Sequence, residues 1–229
     1  MPEVTTTLLL RLVGPLQAWG TTSRFDERDT QLEPSKSGVL GLVCAALGRD
    51  RAESVHDLAA LKMGVRVDRE GLLMRDYQTA AGVLIAATGK ADLGRTVVSP
   101  RYYLADAAFL VGLQGDDSGL LRQVSAALRA PRWPLALGRK AMVPGLPVWL
   151  PDDLQAGDLV TTLASHPRIA PPRFEHRGQP VRLMLEHPDS GALRHDQPVA
   201  PYAARRFGPR FVLPGVLDHV PEPAALEPR

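Results

Sequence analysis

Few residues in this chain could do covalent or acid–base chemistry, and their spacing limits what that chemistry could be. The side chains suited to metal binding or catalysis are one cysteine, Cys44, and six histidines: His56, His166, His176, His187, His195 and His219. No two histidines stand in an HxxxH or HExxH spacing, and one cysteine builds neither a disulfide framework nor a cysteine metal cluster. Two histidines have arginines close in sequence: His176 (Arg173, Arg177) and His195 (Arg194). A metal-independent ribonuclease, in which such a histidine takes the proton of a 2′-hydroxyl, is therefore one reading; a surface histidine is the other. Cys44 lies inside VLGLVCAALG, on the face a helix would bury, which favours packing over nucleophilic attack.

A second kind of chemistry is the neutralisation of phosphate and the stacking of bases. Residues 129–151 hold Arg129, Arg132, Arg139 and Lys140 without an acid. Residues 93–105 hold Arg95 and Arg101 beside Tyr102 and Tyr103, again without an acid. Basic groups interleaved with aromatics suit a single-stranded backbone with splayed bases; the plainer alternative is a pair of solvated loops. Gly38 and Gly41 follow Lys36 and Ser37 at the start of an apolar run. A helix N-terminus there could hold a phosphate through backbone N–H groups, although the G-x-x-x-x-G-K-[ST] of a nucleotide-binding loop is missing. Helix capping with tight packing explains the same residues.

These groups need elements to hold them. Residues 4–13, ended by Gly14-Pro15, read as a buried strand, followed by a long polar loop to Pro34. Ser35 or Ser37 caps a helix that Gly48 stops, and a second short helix runs around Val55 to Leu61. Residues 63–68 alternate as a strand, with 72–79 as its expected partner across the turn Arg69-Glu70-Gly71. Residues 80–104 fit an inserted arm, 105–114 a strand, and Leu120–Leu128 a helix capped by Asp117 or Ser118. The order approaches ferredoxin-like βαββαβ. Beyond residue 130 the chain is Pro-rich, strand-like at VRLMLEH and RFVLPG, and ends in a tail.

Composition sets wider bounds. The 229 residues suit one large domain, with 45% hydrophobic residues and a net charge of only +2. No apolar run approaches the roughly 20 residues of a membrane helix. The opening MPEVTTTLLLRLVGP lacks the basic start of a signal peptide, so a cytoplasmic protein with no membrane contact is expected.

Read together, five stretches are more specific than any one of them. LLLRLVGPLQAWG (8–20), PSKSGVLGLVCAALG (34–48), MRDYQT (74–79), PRYYLADAAFLVGL (100–113) and PRWPLALGRKAMVPGLP (131–147) occur in order. In this the chain resembles the Cas-five family of the RAMP superfamily, in its subtype I-E branch of CasD-type Cascade subunits. The resemblance covers about residues 5–150 and is loose beyond. It implies an α+β, modified ferredoxin-like (RRM/RAMP) palm domain over 1–214, with a β-hairpin-like thumb inserted at about 78–104. A β-rich part at about 145–214 and a tail at 215–229 complete the expected layout.

The resemblance also implies a function: a non-catalytic subunit, without cofactor or metal, that binds and caps the 5′ handle of the guide CRISPR RNA. Its protein partners would be a backbone subunit and the large PAM-reading subunit, and target DNA would be met only through the complex. Matched motif by motif, RNA contacts fall on Trp19, Gly20 and Arg24, and on Lys36, Ser37 and Gly38 at the helix start. Further contacts fall on Arg75 and Tyr77, on Arg101 and Tyr102, and on Arg139 and Lys140. A subtype I-C branch of the family cuts CRISPR repeat RNA with a Tyr–Lys–His arrangement in which Lys and His are adjacent. Here the only basic–His dipeptide is Arg194-His195, in the divergent last third. Relatives often carry Ser-Cys-Pro after the basic pair, where this chain has Ala141-Met142-Val143-Pro144.

Overall fold

The computed structural model describes residues 5–21, 27–85 and 88–222; of the expected contacts, Arg24 lies outside them. In chain order the elements are β1 (Thr6–Val13), β2 (Leu16–Gln17), α1 (Lys36–Leu47), α2 (His56–Ala59), β3 (Lys62–Arg69), β4 (Leu72–Leu84) and β5 (Ala91–Ala105). They continue as β6 (Ala108–Gly115), α3 (Ser118–Arg129), β7 (Leu154–Ala156), α4 (Leu159–Ser165), β8 (Val181–His187), β9 (Ala192–Pro198) and β10 (Phe207–Leu217).

The central sheet runs β7-β1-β6-β3-β8-β10-β9, with every neighbouring pair antiparallel. Its first four strands have the ferredoxin-like arrangement: β1 and β3, joined through α1, flank β6, while β6 and β7, joined through α3, flank β1. The unbroken leucines of β1 follow from burial on both sides. Leu8, Leu10 and Leu12 pack with Val39, Leu40 and Val43 of α1 and with Leu121 and Val124 of α3. Leu9 joins Leu110, Leu159 and Leu163 in a smaller core beneath α4. Burying each such leucine is worth roughly 1.5–3 kcal/mol, so β1 anchors both layers.

Local chemistry sets the helix ends. Ser35 sits in extended backbone and its hydroxyl accepts the Gly38 N–H, while Gly48, at φ 72°, ends α1 in the left-handed region. Asp117 caps α3 by accepting the Leu120 N–H. The helix α4 was not expected from sequence. Asp158 caps it by accepting the Val160 and Thr161 N–H groups, and Arg66, fully buried and paired with Asp68, donates to the Leu163 and His166 carbonyls at its far end.

Three expectations are corrected. Residues 72–79 do not pair with β3. All but the ends of β3 is buried, and it takes β6 and β8 as neighbours. The more exposed β4 pairs instead with β5 in a separate sheet ordered β2-β5-β4. The β4–β5 hairpin springs from the end of the β3–β6 pair: Arg69 faces Ala108, and the new ladder resumes at Leu72 opposite Ala105. The thumb hairpin thus starts at Leu72 rather than near residue 78. Nor does a tail begin at 215, because Gly215, Val216 and Leu217 complete the β10–β8 ladder. Through β8, β10 and β9 the last third of the chain extends the palm sheet itself. No helix among the described residues is long and apolar enough to cross a membrane.

Candidate nucleic-acid interface

Four separate stretches of chain meet at the start of α1. The segment 18–20 carries the first loop, and Gly138-Arg139 lies over it. Ser37 and Gly38 open the helix, and Tyr202 and Phe207 arrive from the last third; together they line a cleft of about 260 Å³. The contact between the two loops is close. Gly138 has φ 92°, and a Cβ on it would stand 1.7 Å from the Ala18 carbonyl oxygen, so only glycine fits. The Leu137 carbonyl accepts the Ala18 N–H at 3.1 Å. On the opposite wall the Tyr202 hydroxyl donates to the Ser37 carbonyl at 2.6 Å, and burial pushes that hydroxyl's pKa far above its usual value. Phe207 packs against Tyr202 with ring centroids 6.2 Å apart. Glycine backbone, three aromatic residues (Trp19, Tyr202 and Phe207), Arg139 and Asp29 make a lining suited to one flat, polar-edged group such as a base.

The positive charge around this cleft is gathered from distant positions. The Arg139 guanidinium donates to the carbonyls of Arg28 and Asp29, at 3.0 and 3.3 Å. Burial, followed by the positive charge of Arg101, holds its pKa below the ordinary value. Arg28 bridges to Arg101 on β5 through its backbone: its N–H donates to Pro100 and its carbonyl accepts from Tyr102. Arg101 Nε is buried without a hydrogen-bond partner, a donor that a phosphate oxygen or water would satisfy. Lys140 is exposed at the rim.

The thumb hairpin divides the remaining expected contacts by face. Directly paired residues share a face of an antiparallel ladder. Arg75 opposes Tyr102, and Tyr77 opposes Pro100, so Arg75, Tyr77 and Tyr102 form one basic and aromatic surface. Arg75 lies 6.0 Å from the centre of the Tyr102 ring, and Tyr77 is 69% exposed. Asp76 and Arg101 oppose one another on the other face, the one whose charges act on Arg139.

Two expected contacts are buried in the core, although Trp19 also borders the cleft. Trp19 is 1% exposed; its indole N–H donates to Gln17 Oε1, and its ring lies where a Cβ on Gly38 would be 2.8 Å away. A ring this large contributes more as core than as a platform, so it cannot stack on RNA without unpacking the palm. Lys36 is equally buried, its ammonium 2.9 Å from both oxygens of Glu186. Its backbone N–H donates to Asp196 Oδ2 at 2.7 Å. The negative partner that the N-terminus of α1 attracts is therefore the carboxylate of Asp196 rather than a phosphate. Gly20, Ser37 and Gly38 keep their place at the cleft.

Sequence reasoning missed Arg28, Asp29, Tyr202 and Phe207. The signal for the last two was the run PYAARRF at 201–207, which mixes aromatic and basic residues. None of the six histidines lines the cleft. Burial raises the Cys44 thiol to about 11, which removes its nucleophilic thiolate at neutral pH.

The chain is similar to known proteins over most of its length. The family profile described as CRISPR-associated protein (Cas_Cas5) matches residues 7–213. The CRISPR system Cascade subunit CasD of Escherichia coli (strain K12) is 34% identical over 148 residues, 58% of this chain. The chain spans 65% of the length of that curated relative. A solved structure described as a crystal structure of a Cas protein has 47% identity and a TM-score of 0.77, covering 95% of this chain and 98% of that one. A chain of a CRISPR RNA-guided surveillance complex has 33% identity and a TM-score of 0.70, covering 92% and 90% respectively.

Proposed function

Because the chain belongs to the Cas5 family of CRISPR-associated proteins, we propose that it is the subunit of a type I-E Cascade surveillance complex that holds the 5′ handle of the guide RNA. The observation that carries this reading is the cleft at the start of α1, where the first loop, the Gly138-Arg139 loop and the Tyr202–Phe207 segment converge. In it, Gly20 leaves backbone open to a strand, Tyr202 and Phe207 offer ring faces to a base, and Arg139, with Arg101 and Lys140 nearby outside the lining, neutralises phosphates. The Arg75–Tyr77–Tyr102 surface of the thumb takes the strand onward, or a neighbouring backbone subunit beside it. The large PAM-reading subunit sits next to the capped RNA end, and target DNA is met through the assembled complex.

The subunit acts by holding rather than by cutting. A metal-independent cut needs a base beside a 2′-hydroxyl; the described residues that line the cleft include no histidine, lysine or cysteine, and their one carboxylate, Asp29, accepts the Thr21 N–H. Tyr202, the phenol in its wall, is committed to the Ser37 carbonyl.

Incubation of the purified chain with CRISPR repeat RNA in EDTA tests this. The expected result is binding without cleavage. Lys140→Ala removes one cation that faces phosphate, which should lower the salt slope of binding by about 0.7. Arg139→Ala should weaken binding further, because Arg139 also pins the 28–29 segment. A single-site cut that one His→Ala change stops, with binding intact, would overturn the proposal.

A further inference from the structure

The base of the thumb holds a second group of basic and aromatic side chains that shares no lining residue with the cleft. A cavity of about 120 Å³ opens between the β3–β4 turn and the segment 168–182, walled by Arg69, Arg168, Arg173 and Arg182. The two carboxylates in its wall are already engaged: Asp68 by Arg66, and Glu70 by Nε and Nη2 of Arg182. Arg69 and Arg173 share a single carboxylate, that of Asp106, at 3.2 and 3.6 Å, and Asp106 is itself 55% exposed. Arg69 Nε and His176 Nδ1, both on wall residues, are buried without hydrogen-bond partners. Arg69 Nε is a fixed donor, and a buried donor left without an acceptor marks a place where a missing anion or water belongs. Beside the cavity, Phe174 stands 81% exposed, with the Arg177 guanidinium 5.3 Å from its ring centre. An aromatic ring bared to solvent with an arginine over it offers a base both stacking and a cation–π partner.

We propose that the thumb base is a second nucleic-acid contact, in which a backbone phosphate enters the cavity beside Arg69 and Arg173 and the adjoining base lies on Phe174. Because neither recognition element reads a base edge, the site takes single strands without sequence preference. It does not depend on the handle-binding reading.

Fluorescence anisotropy of the full chain with labelled oligouridylate and oligothymidylate, neither carrying a repeat handle, tests the proposal. Phe174→Ala combined with Arg177→Ala should weaken binding of the oligonucleotides about tenfold, in line with the removal of one stacked base. Both side chains are exposed, so circular dichroism should show an unchanged fold. Orthophosphate should compete with the oligonucleotide more strongly than chloride at equal ionic strength, and Arg69→Gln should abolish that difference. The bound oligonucleotide identifies the source: preference for uridylate points to RNA, and equal binding of thymidylate to either nucleic acid. Parental affinity in the double variant overturns the proposal. So does an orthophosphate effect with no Phe174 dependence, which would leave only a free-anion pocket. Failure of the handle reading would be seen separately, in unchanged handle binding by Arg139→Ala and Lys140→Ala.

Discussion

Replacing Lys36 with Met separates a core role from an RNA role for the most deeply buried cation expected to touch phosphate. The substitution keeps the length of the side chain and removes its charge, leaving Glu186 without its nearest partner at 2.9 Å. Orphaning one member of a fully buried pair costs about 3–5 kcal/mol. Glu186 retains the Met63 N–H at 3.2 Å, a more distant Arg210 at 3.9 Å, and 20% exposure of its side chain, so water and neighbours recover part of that cost. The expected destabilisation is therefore about 2–3 kcal/mol, read as a lower urea midpoint at constant slope. Lys36→Met with Glu186→Gln should return to within about 1 kcal/mol of the parent, because a neutral amide can still accept the Met63 N–H. In RNA binding the single variant should keep the parental salt slope, whereas removal of a cation that neutralises phosphate would lower it by about 0.7. A Lys36→Met protein that is as stable as the parent but has the lower slope would refute the assignment of Lys36 to the core.

Two further expectations concern the clip over the cleft and the alkaline limb of stability. Gly138→Ala places a methyl against the Ala18 carbonyl at a φ that alanine resists, so it should cost roughly 3 kcal/mol and weaken RNA capture through displacement of Arg139; an unchanged melting temperature would contradict the loop contact. Cys44 has a folded pKa raised from 9.0 to about 11, so its contribution is intact below 9.0 and disappears as pH rises through about 11. Over that window the parent should lose about 2–3 kcal/mol relative to Cys44→Ala, measured by urea unfolding, and a constant difference would show that the thiol titrates normally.

The secondary structure most legible in the sequence was that with local causes. The buried leucines of β1, the Ser35 and Gly48 ends of α1 and the Asp117 cap of α3 each follow from a few neighbouring residues. The ferredoxin-like order followed from them, and the five ordered motifs were enough to indicate the family. The partner of β4 was not legible, because local alternation says that a strand forms but not which edge it meets. The greater exposure of β4 and the burial of β3 decide that only once α1, α3 and α4 cover the central sheet.

For the interface, the motif resemblance pointed to arginines and tyrosines that remain at the surface, such as Arg75 and Tyr77, and to the exposed Lys140. It could not tell a cation for phosphate from a cation for a carboxylate 150 residues away, and Lys36 is that case. Nor could it bring Tyr202 and Phe207 to Gly38, since their approach depends on β8, β10 and β9 joining the palm sheet at β3. Types, caps and periodicity are written locally and can be read along the chain. Which charges neutralise one another, and which rings border one cleft, depends on distances that exist only after the strands have paired.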